Sequence, residues 1–239
     1  MKYNLHPDVE AFSTEIGEAL PYVVLQPHQT HTCNIRIVTD RSTTREDLQE
    51  TDALITPLAD FAIGVRTADC VPVLLYDPVQ KVCAAVHAGW RGTVGRISQK
   101  TIDLMSQDFG CRAEDMCAVI GPSIGPDSFQ VGEEVVTAFA EAGFPMDMIH
   151  SYRGERREGS MAEGHHLDLW AANHWLLSES GLLLPNIQVA GICTYENADR
   201  FYSARHDGNN HDRRIINVIK RPSPIGRGVD THKRYNCQQ

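Results

Sequence analysis

Two reactive side chains stand at the edges of neighbouring apolar runs in residues 67–93, TADCVPVLLYDPVQKVCAAVHAGWRGT. Cys70 comes directly before the run 71–76, and His87 ends the run 82–87, with an Asp-Pro turn signal between the runs. If the runs pair as a β-hairpin, the residue entering one strand and the residue leaving the next lie at the same end of the sheet. A cysteine and a neutral histidine at that end are suited to bind zinc, or to act as nucleophile and general base.

A third ligand for a metal is available upstream, in the stretch QPHQTHTCNIRIV. Either His28 or His31, just before a predicted strand, completes a set of two histidines and one cysteine with a vacant fourth position. That arrangement is typical of catalytic zinc, which lowers the pKa of bound water to about 7 and polarises substrates. The gaps of 39 and 17 residues between His31, Cys70 and His87 are not a compact ligand signature, so spacing alone leaves the site a hypothesis.

Each of these residues also has a structural interpretation. A lone cysteine such as Cys70 is most often a small buried hydrophobe. Trp90 is compatible with core packing, Arg91 with a solvated charge and Asp69 with a turn acceptor. Their concentration with His87 at one predicted sheet end favours a functional site, in which Asp69 is the candidate supporting or acid/base carboxylate.

Composition and charge limit the partners. The chain of 239 residues has 42% hydrophobic and 22% charged residues and no linker-like tract, which predicts a single domain over residues 1–239. A formal net charge of −9 and the lack of a Lys/Arg run argue against nucleic acid as a partner. An anionic small substrate would need local arginines, and Arg66, Arg91 and Arg205 are the candidates.

The sequence also predicts the compartment. No apolar run approaches the roughly 20 residues of a membrane span, and the N-terminus lacks the apolar core of a signal peptide. Seven scattered cysteines without a C-x-x-C pair are typical of thiols in a reducing compartment. We therefore expect a cytoplasmic protein without membrane association.

Short β-branched runs alternate irregularly with helical patterns. We predict helices with apolar positions at helical spacing over 94–105, ending by Gly110, and over 132–143 and 167–181. Polar stretches at 151–166 and 205–213 are predicted as exposed loops. Strands are predicted at 22–26, 34–39, 61–65, 71–76, 82–87, 117–121, 187–192 and 214–220. Several are apolar on both faces, so the expected fold class is α+β, a mixed α/β sandwich with covered sheets.

Five blocks of the sequence together resemble the YfiH-like family. They are DALITPLADFAIGVRTADCVPVLLYDP, AAVHAGWRGT, IGPSIGPDSFQVGEEV, HLDLWAAN and CTYENADRFYSARHDG, in the family's order and within about residues 29–220. Members of this family were first labelled polyphenol oxidoreductases or laccases, and later purine nucleoside phosphorylases with adenosine deaminase activity.

The resemblance implies specific roles. It implies a zinc ion held by His31 of the Gln-x-His motif, Cys70 of Ala-Asp-Cys and His87 of His-Ala-Gly-Trp, and it chooses His31 over His28. It also implies that Arg205 faces the same pocket, where we expect it to contact phosphate. Relatives often begin with a longer N-terminal segment that this sequence does not show.

The resulting hypothesis is a zinc enzyme that cleaves purine nucleosides with phosphate and that also removes the 6-amino group of adenosine. Three alternatives remain open from the residues. A copper-dependent laccase fits poorly, because the eleven histidines contain no His-x-His pair, although a His2Cys site also suits Cu²⁺. A metal-free hydrolase would use Cys70 as nucleophile and His87 as base. A metal-binding regulatory module without catalysis is the fourth interpretation.

Overall fold

The computed structural model describes residues 1–153, 164–208 and 213–223. The helices are α1 (Trp90–Val94), α2 (Ile97–Phe109), α3 (Glu133–Glu141), α4 (Met146–Ile149) and α5 (Leu169–Glu179). The strands are β1 (Lys2–Tyr3), β2 (Glu10–Ser13), β3 (Val24–Leu25), β4 (Ile35–Ile37), β5 (Ala53–Thr56), β6 (Ala62–Thr67), β7 (Val71–Asp77), β8 (Val82–Ala88), β9 (Cys117–Ile120), β10 (Gln130–Val131), β11 (His150–Arg153), β12 (Gly164–Leu167), β13 (Ile187–Val189) and β14 (Ile215–Lys220).

Within the described residues, the strands form three sheets. A six-stranded mixed sheet has the order β13-β9-β7-β8-β5-β4, and a five-stranded sheet has the order β1-β2-β14-β6-β3. A small antiparallel sheet has the order β10-β12-β11. The predicted α+β class with mixed sheets is confirmed.

The six-stranded sheet lies between the five-stranded sheet and the helices. Leu74 of β7 packs in a cluster with Ile63 of β6 and Ile219 of β14, whereas Leu75 packs with residues of α2 and α5. All seven residues of β7 and all seven of β8 are buried. Because alternate residues of a strand face opposite sides, burial of both faces explains why these runs are apolar throughout.

The helix predicted over 94–105 is broken into α1 and α2. Arg96, at the break, has a left-handed backbone with φ of 58°, which interrupts the helical path. Gly95 is required there, since a Cβ atom on it would lie 2.3 Å from the Cys33 sulfur. The Arg96 guanidinium then lies over the rings of Phe144 and Trp175, so tertiary packing holds the break in place.

One predicted loop needs correction, and a buried strand was missed. The stretch 151–166 is not loop throughout, because β11 and β12 extend into it and pair with each other; residues 154–163 lie outside the described residues. The strand β5 was not predicted from sequence, although it is fully buried beside β8. Of the predicted loop 205–213, residues 209–212 also lie outside the described residues.

None of the described helices is long and apolar enough to cross a membrane.

The buried hairpin predicts a large difference between two aliphatic truncations. Leu75→Ala removes a fully buried side chain from β7, so it should lower the free energy of unfolding by about 2–5 kcal/mol. Val79→Ala, in the exposed turn of the same hairpin, should change it by less than about 0.5 kcal/mol. Urea unfolding followed by circular dichroism measures both values, and equal losses would contradict the described packing.

Candidate functional site

The hairpin brings Cys70 and His87 to the same end of the six-stranded sheet. His87 of β8 is paired with Pro72 of β7, and Cys70 comes directly before β7. The register therefore confirms the hairpin geometry expected from the sequence. His87 is 3% exposed, while Cys70 is partly buried.

His31 approaches this pair from the segment before β4. Donor atoms of His31, Cys70 and His87 all lie within 4.8 Å of one another. The Cys70 sulfur is 3.8 Å from His31 Nε2, close to the roughly 3.5 Å expected between sulfur and nitrogen ligands of one tetrahedral zinc ion. This is the one group of three or more such ligands among the described residues. His28 is not part of the group, although it lines the same cleft.

Asp52, which sequence reasoning missed, links the two histidines. One carboxylate oxygen accepts hydrogen bonds from His87 Nδ1 at 2.7 Å and from the His31 amide at 3.0 Å. The other oxygen accepts from the Thr32 amide and hydroxyl, both at 2.7 Å, and from the Thr30 amide at 3.3 Å. With its Nδ1 engaged by Asp52, His87 presents Nε2 to the ligand group, as histidine ligands of metals commonly do.

The carboxylate of Asp52 remains charged despite being fully buried. Burial raises its pKa, but hydrogen bonds from His87 and Thr32 outweigh that effect and lower the pKa to about 2. These hydrogen bonds replace the ones that the carboxylate would make to water, so its burial as a charged group is not prohibitive. It also stabilises His31, whose backbone has a left-handed φ of 63° that costs roughly 1–3 kcal/mol in a residue other than glycine.

In the metal-free protein, Cys70 and His87 influence each other's ionisation. Burial raises the pKa of the Cys70 thiol, yet the positive charge of His87 and hydrogen bonds with His31 and His87 outweigh it and lower the pKa to about 6. Burial lowers the pKa of His87, but the negative charge of Cys70 and the bond to Asp52 raise it to about 9. The thiolate form favoured here is also the form that binds metals.

Gly89 allows the close approach of the ligands. A Cβ atom at this position would lie 2.9 Å from the Cys70 sulfur and 3.3 Å from His31 Cδ2. The Ala-Gly-Trp sequence after His87 therefore has a steric reason, since any side chain at Gly89 would press into the ligand group.

Gln29, two residues before His31, fixes this segment to β6. Its side-chain amide donates to the carbonyl of Arg66 at 2.8 Å, and its side-chain oxygen accepts from the Arg66 amide at 2.7 Å. The side chain thus makes the hydrogen bonds that a neighbouring strand would make. The Gln-x-His spacing was the available signal for this contact.

Asp69 lies beside the ligand group with both carboxylate oxygens engaged. One oxygen accepts from the Thr194 hydroxyl at 2.7 Å, and the other accepts from the backbone amide of Arg205 at 2.7 Å. Its backbone has φ of 81°, and its carbonyl accepts from the Ile124 amide. Asp69 thereby joins three segments that are distant in sequence.

A cleft of about 620 Å³ opens onto these residues. Trp90, Phe129 and Ile124 supply apolar surface, and four of the described lining residues are arginines: Arg45, Arg66, Arg205 and Arg214. This local positive charge contrasts with the net charge of −9 of the whole chain. Sequence reasoning picked Arg66 and Arg205 but missed Arg45 and Arg214: Arg45 lies in a segment without a predicted element, and Arg214 was only the first residue of the predicted strand 214–220.

The candidate arginines Arg205 and Arg91 take different places. Arg205 donates from Nη2 to the Gln130 carbonyl at 3.1 Å, with its guanidinium 5.8 Å from the Phe129 ring centroid. Arg91 is exposed and lies over Trp90, with its guanidinium carbon 4.2 Å from the ring centroid. Arg205 therefore lines the cleft, whereas Arg91 is not among the lining residues and lies against Trp90, which is.

Comparison with known proteins places this geometry in a family. Residues 8–221 match the family described as multi-copper polyphenol oxidoreductase laccase. A purine nucleoside phosphorylase of Bacteroides thetaiotaomicron is 40% identical over 206 residues, covering 84% of this chain and 74% of that protein. The adenosine deaminase RL5 from an unknown prokaryotic organism is 37% identical over 213 residues, covering 87% of this chain and 78% of that protein.

A solved structure supports the same conclusion. The crystal structure of the Bacillus licheniformis hypothetical protein YfiH matches with a TM-score of 0.74 at 29% identity, covering 82% of this chain and 73% of that chain. The chain therefore belongs to the multi-copper polyphenol oxidoreductase laccase family, the YfiH-like family that its sequence blocks resemble.

Proposed function

We propose that the protein is a zinc-dependent purine nucleoside phosphorylase acting on adenosine, inosine, guanosine or methylthioadenosine, with adenosine deaminase activity in the same cleft. The observation that carries the proposal is the convergence of His31, Cys70 and His87 donor atoms beside an arginine-rich cleft. Relatives named purine nucleoside phosphorylase and adenosine deaminase, at 37–40% identity over most of the chain, support it.

The residues present fit zinc. Two imidazoles and a thiolate are ligands that zinc prefers, and three protein ligands leave the vacant position of a catalytic site. Copper also accepts such ligands, but a laccase requires a mononuclear copper and a three-copper cluster, and the described residues hold one group of three ligands. A bound zinc ion would supply a Lewis acid that stabilises negative charge developing on the purine.

In the proposed reaction, a phosphate oxygen bonds to C1′ of the ribose while the glycosidic C–N bond breaks. The electron pair of that bond leaves with the purine, which takes up the proton that hydrogen phosphate gives up, and ribose 1-phosphate is the second product. We assign phosphate binding to Arg205, with the other cleft arginines adding positive charge, because guanidinium groups match phosphate oxygens in geometry and charge. Trp90 and Phe129 supply apolar surface for the purine ring.

We assign Asp69 a positioning role instead of acid/base catalysis. Its carboxylate holds the backbone amide of Arg205 and the hydroxyl of Thr194, so it fixes the segment that presents the Arg205 side chain. Arg91, which the sequence offers as a candidate for binding an anionic substrate, is exposed and lies over Trp90, and we propose that it acts at the edge of the cleft.

A metal-free hydrolase is the second candidate, favoured by one observation. Cys70, His87 and Asp52 stand in the order of nucleophile, base and orienting carboxylate, and the pKa of the Cys70 thiol is lowered to about 6. His31 distinguishes the two proposals, because a hydrolase has no use for a second imidazole 3.8 Å from the cysteine sulfur.

The proposal predicts activity that depends on phosphate and on zinc. Zinc-loaded protein should release free base, adenine or hypoxanthine, from adenosine when phosphate is supplied, and prior treatment with a strong chelator should abolish the release until zinc is restored. Chromatography of both bases and of ribose 1-phosphate measures this. Release that ignores phosphate would refute phosphorolysis, and chelator-resistant turnover that iodoacetamide abolishes would favour the hydrolase.

The role of Asp52 predicts a loss of metal affinity in Asp52→Asn. An asparagine has one side-chain acceptor oxygen for the amides and the imidazole that two oxygens now serve, so both histidines lose support. We expect zinc affinity to fall about 10- to 100-fold in competition with a fluorescent chelator. Asp47→Asn, an exposed carboxylate that accepts from Thr44, is the matched control and should not change it. Equal affinities for the two variants would contradict the assigned role.

The assignment of Arg205 predicts a selective effect on phosphate. Arg205→Ala removes charge-assisted hydrogen bonds worth about 1.5–3 kcal/mol, so KM for phosphate should rise roughly 10- to 100-fold. Arg200→Ala, which breaks an exposed ion pair with Glu15, is the control in the same segment and should leave KM unchanged. Steady-state kinetics at varied phosphate measures both, and an unaltered KM in Arg205→Ala would remove Arg205 from the phosphate site.

A further inference from the structure

A pair of histidines on the small sheet, His150 and His165, does not belong to the group formed by His31, Cys70 and His87. His150 of β11 and His165 of β12 share one sheet face, because Tyr152 pairs directly with His165 and lies two residues after His150. His150 Nε2 and His165 Nδ1 are 2.8 Å apart, and the two rings stack with centroids 5.1 Å apart. Neither histidine is among the residues that line the cleft.

The distance between these nitrogens suits a shared metal ion. Bonds of about 2.0–2.1 Å from a zinc ion to two imidazoles place the nitrogens about 3.3 Å apart at a tetrahedral angle. Opening the His150–His165 pair by about half an ångström is within reach of side-chain rotation, so the strands need not move. Both residues are partly exposed, which leaves room for water to complete the coordination.

We propose that His150 and His165 form a second metal site, which binds one divalent ion of the imidazole-preferring class, such as Zn²⁺, Cu²⁺ or Ni²⁺. In the hydrogen bond, one imidazole donates its N–H to the other. When the ion binds, that proton leaves the shared position and its ring takes up a proton at the other nitrogen, so both rings stay neutral and each offers a lone pair.

Tyr152 and the strand pairing define the surroundings of the pair. Tyr152 flanks the site, with its ring 5.0 Å from that of His165. Because the ligands belong to paired strands, a bound ion would cross-link β11 and β12 and stabilise the folded state by an amount that grows with the logarithm of its affinity.

The inference does not depend on the proposed function, and its test removes the first site. In a His31→Ala/Cys70→Ala variant, isothermal titration with Zn²⁺ should show one bound ion per chain, and zinc should raise the midpoint of thermal unfolding. Adding His165→Ala should abolish both effects. Adding His150→Ala should do the same, so the result does not rest on one substitution.

The matched control is His174→Ala in the same background, because His174 on α5 belongs to neither group. This control should retain the bound ion and the thermal shift. The proposal is overturned if the His31→Ala/Cys70→Ala variant binds no zinc, or if binding survives both His150→Ala and His165→Ala. Base release by the otherwise wild-type His165→Ala protein should equal that of the wild type, so failure of this site is distinguishable from failure of the phosphorylase proposal.

Discussion

The buried carboxylate of Asp52 is the interaction on which the candidate site depends. It lies directly before β5, where its own backbone carbonyl accepts from the His87 amide while its side chain binds the His87 imidazole. The same side chain accepts hydrogen bonds from three backbone amides and one hydroxyl of residues 30–32. One charged group thus orients one histidine through its ring and the other through its backbone, so neither ligand can shift without losing a charge-assisted hydrogen bond.

The fold places that carboxylate where water cannot compete with its partners. The six-stranded sheet is covered on one face by the five-stranded sheet and on the other by helices, so β7 and β8 form a rigid base for Cys70 and His87. Segments that carry no regular structure supply the rest: the His31 segment is tied to β6 by Gln29, and the Arg205 segment is tied to Asp69. A site built from a rigid hairpin and two anchored segments can hold a metal and still present a cleft to substrate.

Much of this could be predicted from the sequence, for identifiable reasons. The runs around Cys70 and His87 are uniformly apolar, which indicated buried strands, and the turn between them set the register that brings the two residues together. Asp52 could not be identified, because a single aspartate before an unpredicted four-residue strand looks like any turn residue. The break between α1 and α2 depends on Gly95 meeting the Cys33 sulfur, a tertiary contact that helical periodicity does not contain.

The chemistry proposed for the cleft follows from one spatial fact, the joint binding of an ion by His31, Cys70 and His87. X-ray absorption at the zinc edge of the purified His165→Ala protein, loaded with one zinc ion per chain, tests it most directly, because this variant keeps the His31, Cys70 and His87 group and lacks the second proposed site. The account predicts one sulfur neighbour at about 2.3 Å together with two imidazole nitrogens at about 2.0–2.1 Å. A first shell of nitrogen and oxygen without sulfur would contradict it, because Cys70 would then not be a ligand.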